Sequence, residues 1–211
     1  MACGDGGEGE ATPTPVDAQL QQQLKQMVLP LEDLPAGVTL AEEYFSTNDE
    51  SAAATSDPAG RLAKLEEWGR ILGYELTYQP NLEVLSQTGL ILVNINASLY
   101  GSEEGASASF AEAAETARTT DWAAQFGGVQ DVQVDEVPSP PLADEMLWLR
   151  VTVKAEATGL AEETFAQDVI LFRQGPARAG LMVAWSLESG SSDFVQQVAE
   201  GQAQRLKEAF P

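Results

Sequence analysis

EMLWLRVTVKAEATGLAEETFAQDVILFRQGPARAGLMVAWSLESG, residues 145–190, is the stretch of this 211-residue chain that decides its fold. Along residues 145–155, Leu147, Leu149, Val151 and Val153 fall on one side. Met146, Trp148, Arg150 and Thr152 fall on the other, which is the two-residue period of a strand. Residues 160–175 carry Phe165, Val169 and Leu171 in a second extended run. After a short turn at 176–180, Leu181, Val183, Trp185 and Leu187 share one face of a third. Strands joined by connections this short pair antiparallel.

Reading outward, residues 191–210 form a helix capped by Ser191 or Ser192, with Phe194, Val198, Leu206 and Phe210 as its apolar stripe and Val195 and Ala199 beside it. Upstream lies a Pro-rich loop, 138–145, preceded by a valine-rich strand at 129–137 whose spacing slips at Asp131. Ser102 opens a helix with a small-residue stripe of Ala106, Phe110, Ala113, Ala114 and Ala117, and Asp121 caps a further turn. The β-branched run at 90–100 and the alternation of Tyr74, Leu76 and Tyr78 predict two more strands. Before them, Leu62, Leu65, Trp68 and Leu72 predict a helix that starts at Asp57-Pro58, contains a Glu66–Arg70 ion pair and ends at Gly73. Residues 47–60 read as a loop, 40–46 as a short extended piece and 16–29 as a helix stopped by Pro30. The expected class is α+β: a twisted antiparallel sheet of about six strands covered by helices, the C-terminal one included, in a single domain over 16–211.

The composition narrows the function. Thirty-three acidic residues face 11 basic ones, a net charge of −22, which repels nucleic acid and anionic headgroups. Histidine is absent, which excludes Ser-His-Asp and Cys-His chemistry and His-containing zinc sites. Adjacent carboxylates (Glu42-Glu43, Glu66-Glu67, Glu103-Glu104, Asp135-Glu136, Glu162-Glu163) point apart on a strand or helix, so they are poor acid/base couples and read as solvated faces. Asp131, Asp135 and Glu136 lack the spacing of a calcium loop. No phosphate-loop or dinucleotide fingerprint occurs, and we expect no catalytic residues, metal or cofactor.

Two arginines stand out against so few basic residues. Arg70 and Arg150 are each either an anion clamp or an ion-pair partner of one of the carboxylates, and the ion pair is favoured. Asn94 and Asn96 face away from Ile91, Val93, Ile95 and Leu99, toward solvent or a polar cavity. The expected ligand site is an apolar pocket between the sheet and a covering helix, lined by Phe110, Trp148 and Trp185, with Arg150 as its charged member. Core packing is the competing reading for the tryptophans.

The only cysteine, Cys3, stands in Ala2-Cys3-Gly4, followed by a Gly-, Glu-, Thr- and Pro-rich stretch with no core-forming residues. This resembles the maturation site of a bacterial lipoprotein, which implies a lipid anchor on Cys3, residues 1–15 as a disordered spacer and an extracytoplasmic, membrane-anchored location. The alternative is an unmodified cysteine in a solvated tail. Leu34-Pro35-Ala36-Gly37, Trp68-Gly69-Arg70, Gly73-Tyr74 and Ile170 to Gly175 resemble the Mog1/PsbP-like family, including its LpqN-type lipoproteins. That resemblance implies a non-enzymatic binding or accessory module at a membrane. The expected partners are the membrane, through the lipid anchor, and a small apolar ligand or an envelope protein, with nucleic acid excluded by the charge. A carboxylate-dependent secreted hydrolase and a purely structural accessory subunit are the other readings.

Overall fold

Two antiparallel meanders meet edge to edge in one sheet. In the computed structural model, residues 15–127, 131–155 and 163–211 are described. The strands are β1 (Val38–Ser46), β2 (Arg70–Pro80), β3 (Leu90–Tyr100), β4 (Val132–Glu136), β5 (Glu145–Ala155), β6 (Glu163–Gln174) and β7 (Ala177–Ser186). Their order is β1-β2-β3-β7-β6-β5-β4, and every neighbouring pair is antiparallel. The helices are α1 (Pro15–Gln26), α2 (Asn48–Ala53), α3 (Pro58–Glu67), α4 (Leu82–Thr88), α5 (Glu103–Thr119), α6 (Trp122–Gln125) and α7 (Ser192–Ala209). The α+β class and the covering C-terminal helix follow the expectation, with seven strands formed where about six were expected. Cys3 and most of the expected spacer, residues 1–14, lie outside the described residues.

Burial on both sides of the central strands explains their composition. One face carries Val93, Ile95, Trp148, Ile170, Phe172, Leu181, Val183 and Trp185, packed with Leu24 and Met27 near the end of α1 and with Val195, Val198 and Leu206 of α7. The opposite face carries Leu147, Leu149 and Leu171 under Phe110, Ala114 and Ala117 of α5. The small residues of α5 let it lie close to its neighbours. A Cβ on Gly105 would stand 1.9 Å from the Trp68 carbonyl oxygen, so glycine alone fits there. Among the described residues no helix is long and apolar enough to cross a membrane.

Several local expectations are corrected. The helix begun at Pro58 stops at Glu67, because Gly69 adopts φ +64° and turns the chain into β2. Leu72 and Gly73 are therefore strand residues, and Arg70 has no helical partner in Glu66. Its guanidinium instead donates to Ser98 Oγ (3.1 Å), Asn48 Oδ1 (3.1 Å) and Ser46 Oγ (2.8 Å), tying β1, β2 and β3 together. Burial lowers its pKa to about 10. Residues 48–53, read from the sequence as loop, are helical and held by a Thr47–Glu50 capping box, and α4 adds a further short helix between the Asn81 cap and Gly89. A register irregularity between Leu90 and Leu92 turns Ile91 out to solvent and puts Leu90 in the core instead.

Candidate functional site

The site is built on the face of β5, β6 and β7 that α7 covers. Arg150 stands opposite Asp168 in the β5–β6 register, and Ala166 stands opposite Trp185 in the β6–β7 register. Asp168 thus has Arg150 beside it and the indoles of Trp148 and Trp185 one diagonal step away, within reach of long side chains. Trp148 Nε1–H donates to Asp168 Oδ1 and Trp185 Nε1–H to Oδ2, each at 2.6 Å. Arg150 donates from Nε to Oδ1 (3.0 Å) and from Nη2 to Oδ2 (3.3 Å). Its guanidinium carbon lies 5.1 Å from the Trp185 ring centroid, a cation–π stack. Asp168 is fully buried. A buried carboxylate requires this many donors, because each unpaired oxygen would carry an uncompensated desolvation cost.

A cleft opens beside this cluster. The loop from Val137 to Ala143, a strap between β4 and β5, contributes to the walls of two cavities. The smaller, about 200 Å³, is lined by Trp148, Arg150 and Leu142, and by Ser192, Gln196 and Glu200 of α7. The larger, about 470 Å³, lies against Met146 and Trp148. Both share Val137, Pro138, Ser139, Pro140 and Trp148, so the indole of Trp148 forms a common wall. Proline fixes the strap without offering backbone donors at those positions.

Three of the four expected ligand-site residues therefore come together: Trp148 and Arg150 line the cleft, and Trp185 stacks beneath Arg150. Phe110 does not join them. It sits in the α5 core on the other side of the sheet, because strands buried on both faces leave a helix two surfaces to cover. Asn94 is half-buried and donates to Glu75 Oε1 (3.0 Å) and Thr77 Oγ1 (3.1 Å) across β2 and β3. Asp168 was missed by the sequence reading, although its signal was present: it alternates with Ala166, Ile170 and Phe172 on a face that is otherwise apolar.

The acidic groups near the cleft are already engaged. Asp144 accepts from Arg173 Nη1 (3.1 Å) and from the Gly175 backbone N–H (2.9 Å). Glu136 pairs loosely with Arg118 (3.7 Å), and, away from the cleft, Asp131 pairs with Lys154 (3.1 Å). Elsewhere, Glu43 accepts from Lys25 (2.6 Å) and from the Tyr74 hydroxyl (2.7 Å), which holds its pKa below the usual carboxylate value. Glu50, bound by the Thr47 backbone and hydroxyl, is lowered too. No group of three metal-ligating side chains occurs among the described residues.

Gly190 supports the cluster from behind. A Cβ there would meet Trp185 Cε3 at 2.3 Å and the Ser186 carbonyl oxygen at 2.5 Å. Gly190→Ala is expected to push the Trp185 ring off Arg150 and to cost about 1–3 kcal/mol, the usual range for overpacking. The test is the urea midpoint together with near-ultraviolet circular dichroism of the tryptophans. An unchanged midpoint and spectrum would refute this close contact.

No family model matches the chain, and no curated protein does. The Mog1/PsbP-like resemblance accordingly rests on the residues quoted for it. Among solved structures, the chain is similar to the crystal structure of the extracellular domain of PknH from Mycobacterium tuberculosis. The TM-score is 0.56 and the identity 11%, over 89% of this chain and 95% of that one. At that identity the two share a fold.

Proposed function

We propose that this chain is an extracytoplasmic binding module, held at the bacterial cell envelope by a lipid on Cys3 and carrying no catalytic machinery of its own. The observation that carries the reading is the strapped cleft against Trp148 and Arg150. Beside Arg150 it joins an apolar wall of Val137, Pro138, Pro140, Leu142 and Trp148 to polar groups on Ser139, Ser192, Gln196 and Glu200, a combination that can hold a ligand with one apolar and one polar end. The buried carboxylate beside it is saturated by four donors, which suits a structural anchor better than a general acid or base. The extracellular origin of the PknH domain agrees with the location proposed from Cys3. The occupant we favour is a small ligand with an apolar body; an envelope protein is the other candidate.

The test is native mass spectrometry of the protein purified from its own cells, with Ser192→Trp as a variant that fills the cleft. A reproducible small molecule on the wild type that is lost in Ser192→Trp is the expected result. A wild type that is reproducibly empty would overturn the small-ligand reading. For the anchor, growth with labelled palmitate is expected to tag the wild type and to leave Cys3→Ser unlabelled. Labelling of neither would remove the anchor.

A further inference from the structure

Resting on the reading that the strapped cleft is the binding site, we infer that it takes a small amphiphilic carboxylate, whose charged end meets the outer edge of Arg150 and whose apolar body lies against Trp148 under the strap.

Arginine carries five N–H donors in a planar fork and can serve two carboxylates from two different edges. The Nε–Nη2 edge of Arg150 is occupied by Asp168. Among the described residues, Nη1 and the second Nη2 hydrogen have no acceptor. The Arg150 side chain is 22% exposed and lines the 200 Å³ cavity, so its outer edge is the part that reaches the cleft. Among the described residues it is also the only basic one lining either cavity.

The guanidinium is already held in place. Asp168 binds it at two points and Trp185 stacks against it, so little rotamer entropy remains to be lost when a ligand arrives. Asp168 therefore acts as a positioning residue that aims Arg150 outward without touching the ligand. The charge balance fixes the ligand's valence. Glu200 lines the same cavity, where Gln196 Nε2 donates to it at 2.9 Å. Glu136 and Asp144 line the larger cavity next to it. A dianion would meet these groups as well as Arg150, whereas one carboxylate at the Arg150 end with an uncharged body avoids them. Pro138, Pro140, Leu142 and Trp148 supply the surface that such a body would cover beside Arg150.

Two matched fluorescent probes isolate the charge: dansylglycine, which bears a carboxylate, and dansylglycinamide, which does not. Binding to the full chain is read as energy transfer from tryptophan at 0.15 M salt. There the Debye length is about 8 Å, so the distant surface acids are largely screened. The wild type is expected to bind the acid at least tenfold more tightly than the amide. Arg150→Lys, which keeps the charge and loses the fork, is expected to shrink that ratio below threefold. Ser192→Trp, which leaves the Arg150–Asp168 pair intact, is expected to abolish binding of both probes. Equal affinity for acid and amide in the wild type, with both lost in Ser192→Trp, would overturn the carboxylate inference and leave the cleft as the site. Binding of neither probe, or binding unaffected by Ser192→Trp, would overturn the cleft reading with it.

Discussion

Asp168→Asn is expected to lower the stability of this protein by about 3–5 kcal/mol, the range for removing one partner of a buried charge pair. The substitution keeps the size of the side chain, so cavity formation contributes little. The loss comes from charge and from donor count. Four hydrogen bonds converge on two carboxylate oxygens. An amide offers one oxygen and turns two N–H donors toward groups that are themselves donors. Arg150, only 22% exposed in its side chain, would keep its charge without a counter-ion. Against a total stability of roughly 5–15 kcal/mol for an ordinary domain, that loss is a large fraction.

A double-mutant cycle separates the charge effect from the rest. Arg150→Met alone leaves a buried carboxylate with only the two indole donors and is also expected to destabilise. Arg150→Met with Asp168→Asn removes both charges, and the remaining amide oxygen can accept from the indoles. The double variant should therefore be more stable than the sum of the single losses predicts, by at least about 1 kcal/mol, as is usual for residues in one network. Urea denaturation at matched m-values gives all four numbers. Strict additivity, or an Asp168→Asn variant within about 1 kcal/mol of the wild type, would show that the cluster is not coupled through the carboxylate.

Asp168 also shows why part of the site escaped the sequence. The alternation of β5, β6 and β7 is legible because each face carries its own apolar series, and the antiparallel sheet follows from that. In a chain with 33 acidic residues, one more aspartate reads as surface. Only its place between Ala166 and Ile170, on the same side of the strand, marks it as interior. Arg150 was legible because basic residues are scarce, and its partner would have followed had the two strands been set in register. Phe110 fails for a different reason. Periodicity says which side of a helix is apolar, yet not which face of a two-sided sheet receives it. The helices α2 and α4 are short: α2 lies in a stretch dense in Asp, Ser and Thr that reads as loop, and α4 is only seven residues long, so the Thr47–Glu50 box and the Asn81 and Gly89 caps were outweighed. The helix read through to Gly73 shows the reverse error. Leu72 continues a helical spacing by chance beyond a glycine that had already ended the helix.

The second large effect is expected at Gln202, a fully buried polar residue of α7 that the apolar stripe also concealed. Its Oε1 accepts from the Leu29 backbone N–H (3.0 Å), and its Nε2 donates to the Met27 carbonyl (2.7 Å). Both groups lie just past α1, where the chain leaves the helix and its carbonyls lack partners within it. One side chain thus satisfies a donor and an acceptor of the segment after α1 and fixes α7 against it. Gln202→Leu keeps the bulk but orphans both groups. At about 1–3 kcal/mol for each buried group left unpaired, the loss should be about 2–6 kcal/mol. Gln202→Glu tests the same geometry by pH. Its carboxylate still accepts from Leu29, but it loses the donor and buries a charge, so its folded-state pKa is expected to rise above the unfolded value of about 4.3. Protonation restores an O–H donor toward Met27. A raised folded pKa means that stability is recovered as pH falls through the folded pKa toward the unfolded one, and lost as pH rises through the same window. Relative to wild type, Gln202→Glu should therefore improve between pH 7 and pH 4, while Gln202→Leu should keep a constant deficit. The consequence reaches the cleft, because Ser192, Gln196 and Glu200 are carried on the same helix. A loosened α7 would weaken dansylglycine binding in both variants, and in Gln202→Glu that binding should recover as the pH falls. A deficit equally flat in pH for both would mean that the Gln202 bonds to Met27 and Leu29 do not seat the helix.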